Sequence, residues 1–71
     1  MVIEKIQNEI YALFGAFFYD EETETQIAAY IYDNYPSNNY YVVIAQGWTS
    51  INIDFVFDSQ EDYLLFVLKY L

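Results

Sequence analysis

The chain has no cysteine, no histidine and no arginine, and its 71 residues include only two glycines, one proline and two lysines. Without cysteine there are no disulfides and no thiolate metal sites. Without histidine the usual base for nucleophilic catalysis is missing, and only carboxylate and carbonyl oxygens remain for hard cations. Lys5 and Lys69 lie at opposite ends of the chain and are a poor supply of positive charge for phosphoryl transfer. Gly15 and Gly47 are isolated from each other, so there is no glycine-rich phosphate loop. Paired carboxylates can in principle hydrolyse a glycosidic bond, but that needs a deep cleft, which a chain this short can hardly wall. The expectation is that the protein is not an enzyme and uses no cofactor.

Long apolar runs are missing as well. The longest, Ile10 to Tyr19, is too short to span a bilayer. The opening MVIEKIQNEI carries acids among its apolar residues and no basic region, unlike a signal peptide. A cytoplasmic location is expected, that of an infected bacterial host if the protein is viral, with no membrane partner.

Residues 1–71 are expected to form a single domain. A chain of this size buries only about 60% of its unfolded surface, so its core is marginal unless reinforced. Of the usual reinforcements, self-association is still open to it.

Two classes of residue are in surplus. Nine tyrosines raise the apolar fraction to 56%; without them the content is that of an ordinary globular domain. A tyrosine buries a ring and keeps a polar tip, which suits half-buried and interface positions. Acids are the second surplus: eleven Asp and Glu against two lysines give a net charge of −9. Such a body repels nucleic acid and anionic membranes and attracts basic protein surfaces. The plainer reading is that the acids keep an aromatic-rich protein soluble.

The periodicity predicts a helix over Val2–Phe14, with Ile3, Ile6, Ile10 and Leu13 on one stripe and Gly15 as its stop. Ala16 to Asn34 is ambiguous. The favoured reading is a hairpin, with strands Ala16–Tyr19 and Thr25–Tyr32 joined by the acidic loop Asp20–Glu24, because Tyr30-Ile31-Tyr32 suits a strand. The alternative is a helix capped by Asp20, with acids in its first turn, Ile27, Tyr30 and Ile31 buried, and Tyr35-Pro36 just beyond its end. Pro36 to Asn39 is a turn, Tyr40–Gln46 a strand, and Gly47 to Ser50 turns the chain back. In Ile51–Phe57, Ile51, Ile53, Phe55 and Phe57 alternate with Asn52, Asp54 and Val56, so one face is buried. Asp58 or Ser59 caps a last helix with Glu61 and Asp62 in its first turn and Lys69 near its end. Leu64 to Leu68 make that helix apolar nearly all round, which predicts burial on more than one side. The expected fold is therefore α+β: an antiparallel meander of about four strands, with an N-terminal and a C-terminal helix packed on one face. The alternative order is ααββα.

Neither acidic loop matches a metal motif. Asp20 to Glu24 lacks the alternating ligands and central glycine of an EF-hand, and Asp33 to Asn39 is richer in amides than in carboxylates, so both read as solvated loops and no metal is expected. Tyr40, Tyr41 and Trp48 could stack on bases, but no basic groove would hold a backbone. Direct nucleic-acid binding is therefore not expected, and half-buried sheet positions explain these aromatics better.

The acid distribution itself is the remaining candidate site. Basic DNA-binding proteins read mainly the regular negative charge of the backbone. Residues two apart on a strand lie roughly 6–7 Å apart, and residues three or four apart on a helix about 5–6 Å apart, both of the order of a phosphate step. The candidates form two groups: Asp20, Glu21, Glu22 and Glu24, and Asp54, Asp58, Glu61 and Asp62. Glu4, Glu9 and Asp33 are scattered extras.

In size, acidity and lack of His, Cys and Arg, the whole chain resembles the small acidic DNA-mimic proteins that phages use to disable host factors. It is most similar in character to Bacillus-phage host-takeover inhibitors of the nucleoid protein HU. The resemblance implies a homodimer whose acids occupy the DNA-binding surface of a basic protein, whether a nucleoid protein such as HU, a polymerase, a nuclease or a restriction enzyme. The alternative function is a structural or adaptor module that binds its partner through tyrosines and apolar side chains.

Overall fold

The computed structural model describes residues 1–16 and 20–71. Its elements are α1 (Val2–Phe14), α2 (Glu21–Asn34), β1 (Tyr40–Gln46), β2 (Ile51–Phe57) and α3 (Gln60–Tyr70). The order is therefore ααββα, with one antiparallel sheet of two strands. This corrects the expected four-stranded meander. The expected strand Thr25–Tyr32 lies wholly within α2. Its proposed partner, Ala16–Tyr19, falls beyond Ala16 outside the described residues.

Local chemistry explains why α2 is a helix. Ile27 and Ile31 are four apart, a spacing that shares one face in a helix and in a strand alike. Their pattern therefore decides nothing, and the helix start does. Asp20 adopts an extended conformation, and its carboxylate accepts the Thr23 backbone N–H at 2.7 Å. Glu21, Glu22 and Glu24 then sit in the first turn, where the helix dipole favours negative charge. Tertiary packing overrides the strand preference of Tyr30-Ile31-Tyr32: Ile27 and Ile31 are both fully buried.

A two-stranded hairpin alone is marginal in water and needs packing on a helix. Its inward face carries Tyr40, Val42 and Ile44 opposite Phe57, Phe55 and Ile53, with Ile51 at the end of β2. Val2, Ile6 and Ile10 of α1, Ile27 and Ile31 of α2 and Phe66 of α3 complete the core over that face. Leu13 departs from the expected stripe and is exposed; Val2 takes its place in the core. Gly15 ends α1 with φ +86, a left-handed value that favours glycine.

Side chains and one backbone carbonyl cover both edges of the hairpin where further strands would otherwise pair. On the β2 edge, Gln7 Nε2 donates to the Ile53 carbonyl at 2.8 Å, the Tyr11 hydroxyl to the Ile51 carbonyl at 2.8 Å, and the Ile51 N–H to the Ala16 carbonyl at 2.7 Å. On the β1 edge, the Val42 N–H donates to the Tyr32 hydroxyl at 3.0 Å. The β2 edge, occupied at three groups, is a poor template for pairing with another chain.

The tyrosine surplus is largely consumed inside the fold. Besides Tyr11 and Tyr32, the hydroxyls of Tyr30 and Tyr35 donate to Glu9, that of Tyr40 to the Tyr35 carbonyl, and that of Tyr70 to the Pro36 carbonyl. Tyr40 lies at the centre of an aromatic cluster, its ring 4.9–5.8 Å from those of Tyr32, Phe55, Phe57 and Phe66.

Helix α3 corrects a further expectation. Only Phe66 is buried on it, with Tyr63, Val67 and Tyr70 partly covered, while Leu64, Leu65 and Leu68 face out. The helix is covered on one side, because the hairpin and α1 lie on that side alone.

Candidate functional site

The first acidic group occupies the start of α2. Asp20 is its N-cap, and the bond from the Thr23 N–H holds its carboxyl below the usual carboxylate range. Glu21 and Glu22 are exposed on the first turn and Glu24 is half-buried. The second group splits. Asp54 stands on the outer face of the sheet, midway along β2 and opposite Val43. Asp58 follows the end of β2, and Ser59 caps α3 by accepting the Asp62 N–H at 3.2 Å. Glu61 is exposed, whereas Asp62 is half-buried and faces an open hollow of about 460 Å³ lined also by Pro36, Asn38, Phe66 and Lys69.

The two groups do not join. The hollow brings the first turn of α3 beside the loop that follows α2, so the acids of α3 lie at the C-terminal end of α2. The acids of α2 lie at its N-terminal end. The 14 residues of that helix separate the two, roughly 20 Å at the rise of an α-helix. Two separate acidic patches therefore stand on the chain, one at each end of α2, with Asp54 apart on the sheet.

Of the scattered acids, Glu4 and Asp33 are exposed and Glu9 is turned to an internal task. Its Oε2 accepts the Tyr35 hydroxyl at 2.7 Å and the Tyr30 hydroxyl at 3.3 Å. Burial, reinforced by the Glu9 hydrogen bond and charge, raises the Tyr35 hydroxyl well above its ordinary pKa; burial and the Glu9 charge raise Tyr30 in the same direction. Burial pushes Tyr40 up to about 12.

The cations are few and partly occupied. Lys69 Nζ donates to the Pro36 carbonyl at 3.1 Å and lies 5.2 Å from the Tyr70 ring centroid. Among the described residues, no group of three or more Asp or Glu gathers where it could hold a metal ion. No helix among them is long and apolar enough to cross a membrane.

The aromatics expected at half-buried sheet positions divide. Tyr40 is buried in the core, whereas Tyr41 on the outer face of the sheet is exposed and Trp48 at the hairpin tip is fully exposed. The tip leaves no room for a side chain at its first residue: a Cβ on Gly47 would lie 2.7 Å from both the Asn52 amide nitrogen and the Ser50 carbonyl. Trp48 and the α3 leucines stand out in the sequence, but their exposure departs from the expected half-buried and buried positions. The heptad-like spacing of Leu64, Leu68 and Leu71 was the available signal.

No family model matches the chain, and a search of curated proteins and of solved structures finds no match to it.

Proposed function

We propose that this protein binds a positively charged protein surface through its acidic ends and competes there with DNA, the nucleoid protein HU being the foremost candidate partner. One observation carries the reading: seven of the eleven acids lie at the starts of α2 and α3, where Asp20, Glu21, Glu22, Asp58 and Glu61 are exposed. Fixed carboxylates of this kind can substitute for phosphates because a basic DNA-binding surface is held chiefly by backbone charge. The roughly 20 Å between the ends exceeds the ~12 Å width of a major groove. The mimicry is therefore of two separate phosphate contacts on the target.

The test is a titration of purified HU at rising ionic strength. Exposed charges are screened over about 8–10 Å at 0.1–0.15 M salt, so affinity should fall steeply with salt. Neutralising Glu21, Glu22, Asp58 and Glu61 together should abolish binding while leaving the circular dichroism spectrum unchanged. Binding that is indifferent to both changes would overturn the proposal.

A second reading, an adaptor held by aromatic and apolar contacts, draws on the exposed Trp48, Tyr41 and Val43. Tyr30 and Tyr32 are committed inside the fold, their hydroxyls bonded to Glu9 and the Val42 N–H. Under this reading Trp48→Ala abolishes partner binding and the acid substitutions leave it intact.

A further inference from the structure

Leu64 and Leu68 are spaced i, i+4 along one side of α3, Leu71 follows as the helix's C-cap at i+7, and Leu65 lies beside them. Their exposures are 50%, 69%, 89% and 53%. The opposite side of the helix spends Phe66 on Phe55, Phe57 and Tyr40, Tyr63 on Phe57, and Tyr70 on Tyr35. The leucine stripe has no partner among the described residues, and large contiguous apolar patches are uncommon on a monomer surface.

We infer that α3 is a self-association seam, along which two copies pack their leucine stripes antiparallel about a two-fold axis. The occupant follows from charge. Glu61 and Asp62 are in the first turn of α3 and Lys69 is in the last. A parallel pair would set acids against acids and Lys69 against Lys69. An antiparallel pair sets Asp62 beside the Lys69 turn of its partner, twice by symmetry, and opposes the two helix dipoles. With the crossing near Phe66, Leu64 faces Leu68 of the second copy. A foreign apolar partner would need to supply this charge pattern, whereas a second copy carries it already. The seam also supplies the reinforcement that a small single core calls for. This inference does not rest on the proposed target of the acidic ends.

The test uses the protein alone. Sedimentation equilibrium from 1 to 200 μM should show a monomer–dimer equilibrium, and Leu64→Glu with Leu68→Glu should return the chain to monomer with an unchanged circular dichroism spectrum. If that pair unfolds the chain, the single Leu68→Glu variant should weaken the dimer at least tenfold. Orientation is read by oxidative crosslinking, which is clean because the chain has no cysteine. Glu61→Cys alone should stay uncrosslinked, and a mixture of Glu61→Cys and Leu71→Cys should form the mixed disulfide. A monomer at 200 μM, a dimer unaffected by folded Leu68→Glu, or self-crosslinking of Glu61→Cys would each overturn the inference.

Discussion

The Glu9 carboxylate accepts the Tyr35 hydroxyl at 2.7 Å, which bolts the middle of α1 to the residue that caps the end of α2. The Tyr30 hydroxyl shares the same oxygen at 3.3 Å. Removing the carboxylate leaves two partly buried hydroxyls without their acceptor. Glu9→Ala should therefore cost about 1–3 kcal/mol of stability, and Tyr35→Phe, which removes one bond only, about 1 kcal/mol. Urea denaturation of the two variants and their double mutant measures both costs and their coupling. If the double mutant loses the full sum of the two, the residues do not act as a pair.

Alkaline pH should unfold the protein through its tyrosines. Burial raises the hydroxyls of Tyr35, Tyr40 and Tyr30 in the folded state, Tyr40 to about 12. An unfolded tyrosine ionises near pH 10. The folded chain thus holds protons that the unfolded chain has released, and stability falls as pH rises. The contribution of Tyr40 is fully present below pH 10 and is lost between 10 and about 12. Melting curves from pH 9 to 11.5 should show a falling midpoint. Tyr40→Phe should be less stable at pH 7, having lost its bond to the Tyr35 carbonyl, yet show a flatter decline.

The two helix caps differ in how pH affects them. Ser59→Ala removes the acceptor for the Asp62 N–H and should cost about 1 kcal/mol at any pH. Asp20→Ala also lowers the melting midpoint, but its effect depends on pH. The folded carboxyl titrates below its ordinary value of 3.8. Its stabilisation is complete above pH 3.8 and disappears as pH falls through the lower folded value. Melting both variants at pH 7 and pH 2 distinguishes the two behaviours.

How far the fold could be read from sequence follows from which signals are local. The extent of α1 was legible because its apolar spacing and Gly15 act within a few residues. β2 was legible because Ile51, Ile53, Phe55 and Phe57 alternate with period two. α2 was not, since Ile27 and Ile31 fit either period and Tyr30-Ile31-Tyr32 argues for a strand; the capping bond of Asp20 and the burial of Ile27 and Ile31 together select the helix. The burial of α3 was misjudged because the side a neighbour covers is a tertiary fact. The candidate acids are picked by residue type alone; in the fold Asp20, Glu21, Glu22, Asp54, Asp58 and Glu61 are exposed and Glu24 and Asp62 half-buried. Their division between two ends could not be read, because it depends on the direction in which α2 runs.

The core has little redundancy. Ile27 and Ile31 are the only fully buried side chains that α2 contributes among the described residues. Ile31→Ala should cost about 2–5 kcal/mol. A domain of this size has roughly 4–10 kcal/mol in total at 0.05–0.15 kcal/mol per residue. The variant should be substantially unfolded at 37 °C by circular dichroism, whereas Ile31→Val should stay folded.

The central claim is that the acidic ends displace DNA from a basic protein. The direct measurement is fluorescence anisotropy of labelled duplex DNA held by HU, with this protein added in increasing amounts at 50 mM salt. The predicted result is a return of the anisotropy to that of free DNA, abolished when Glu21, Glu22, Asp58 and Glu61 are neutralised. Anisotropy that stays at the bound value at a large excess of the folded protein would contradict the claim.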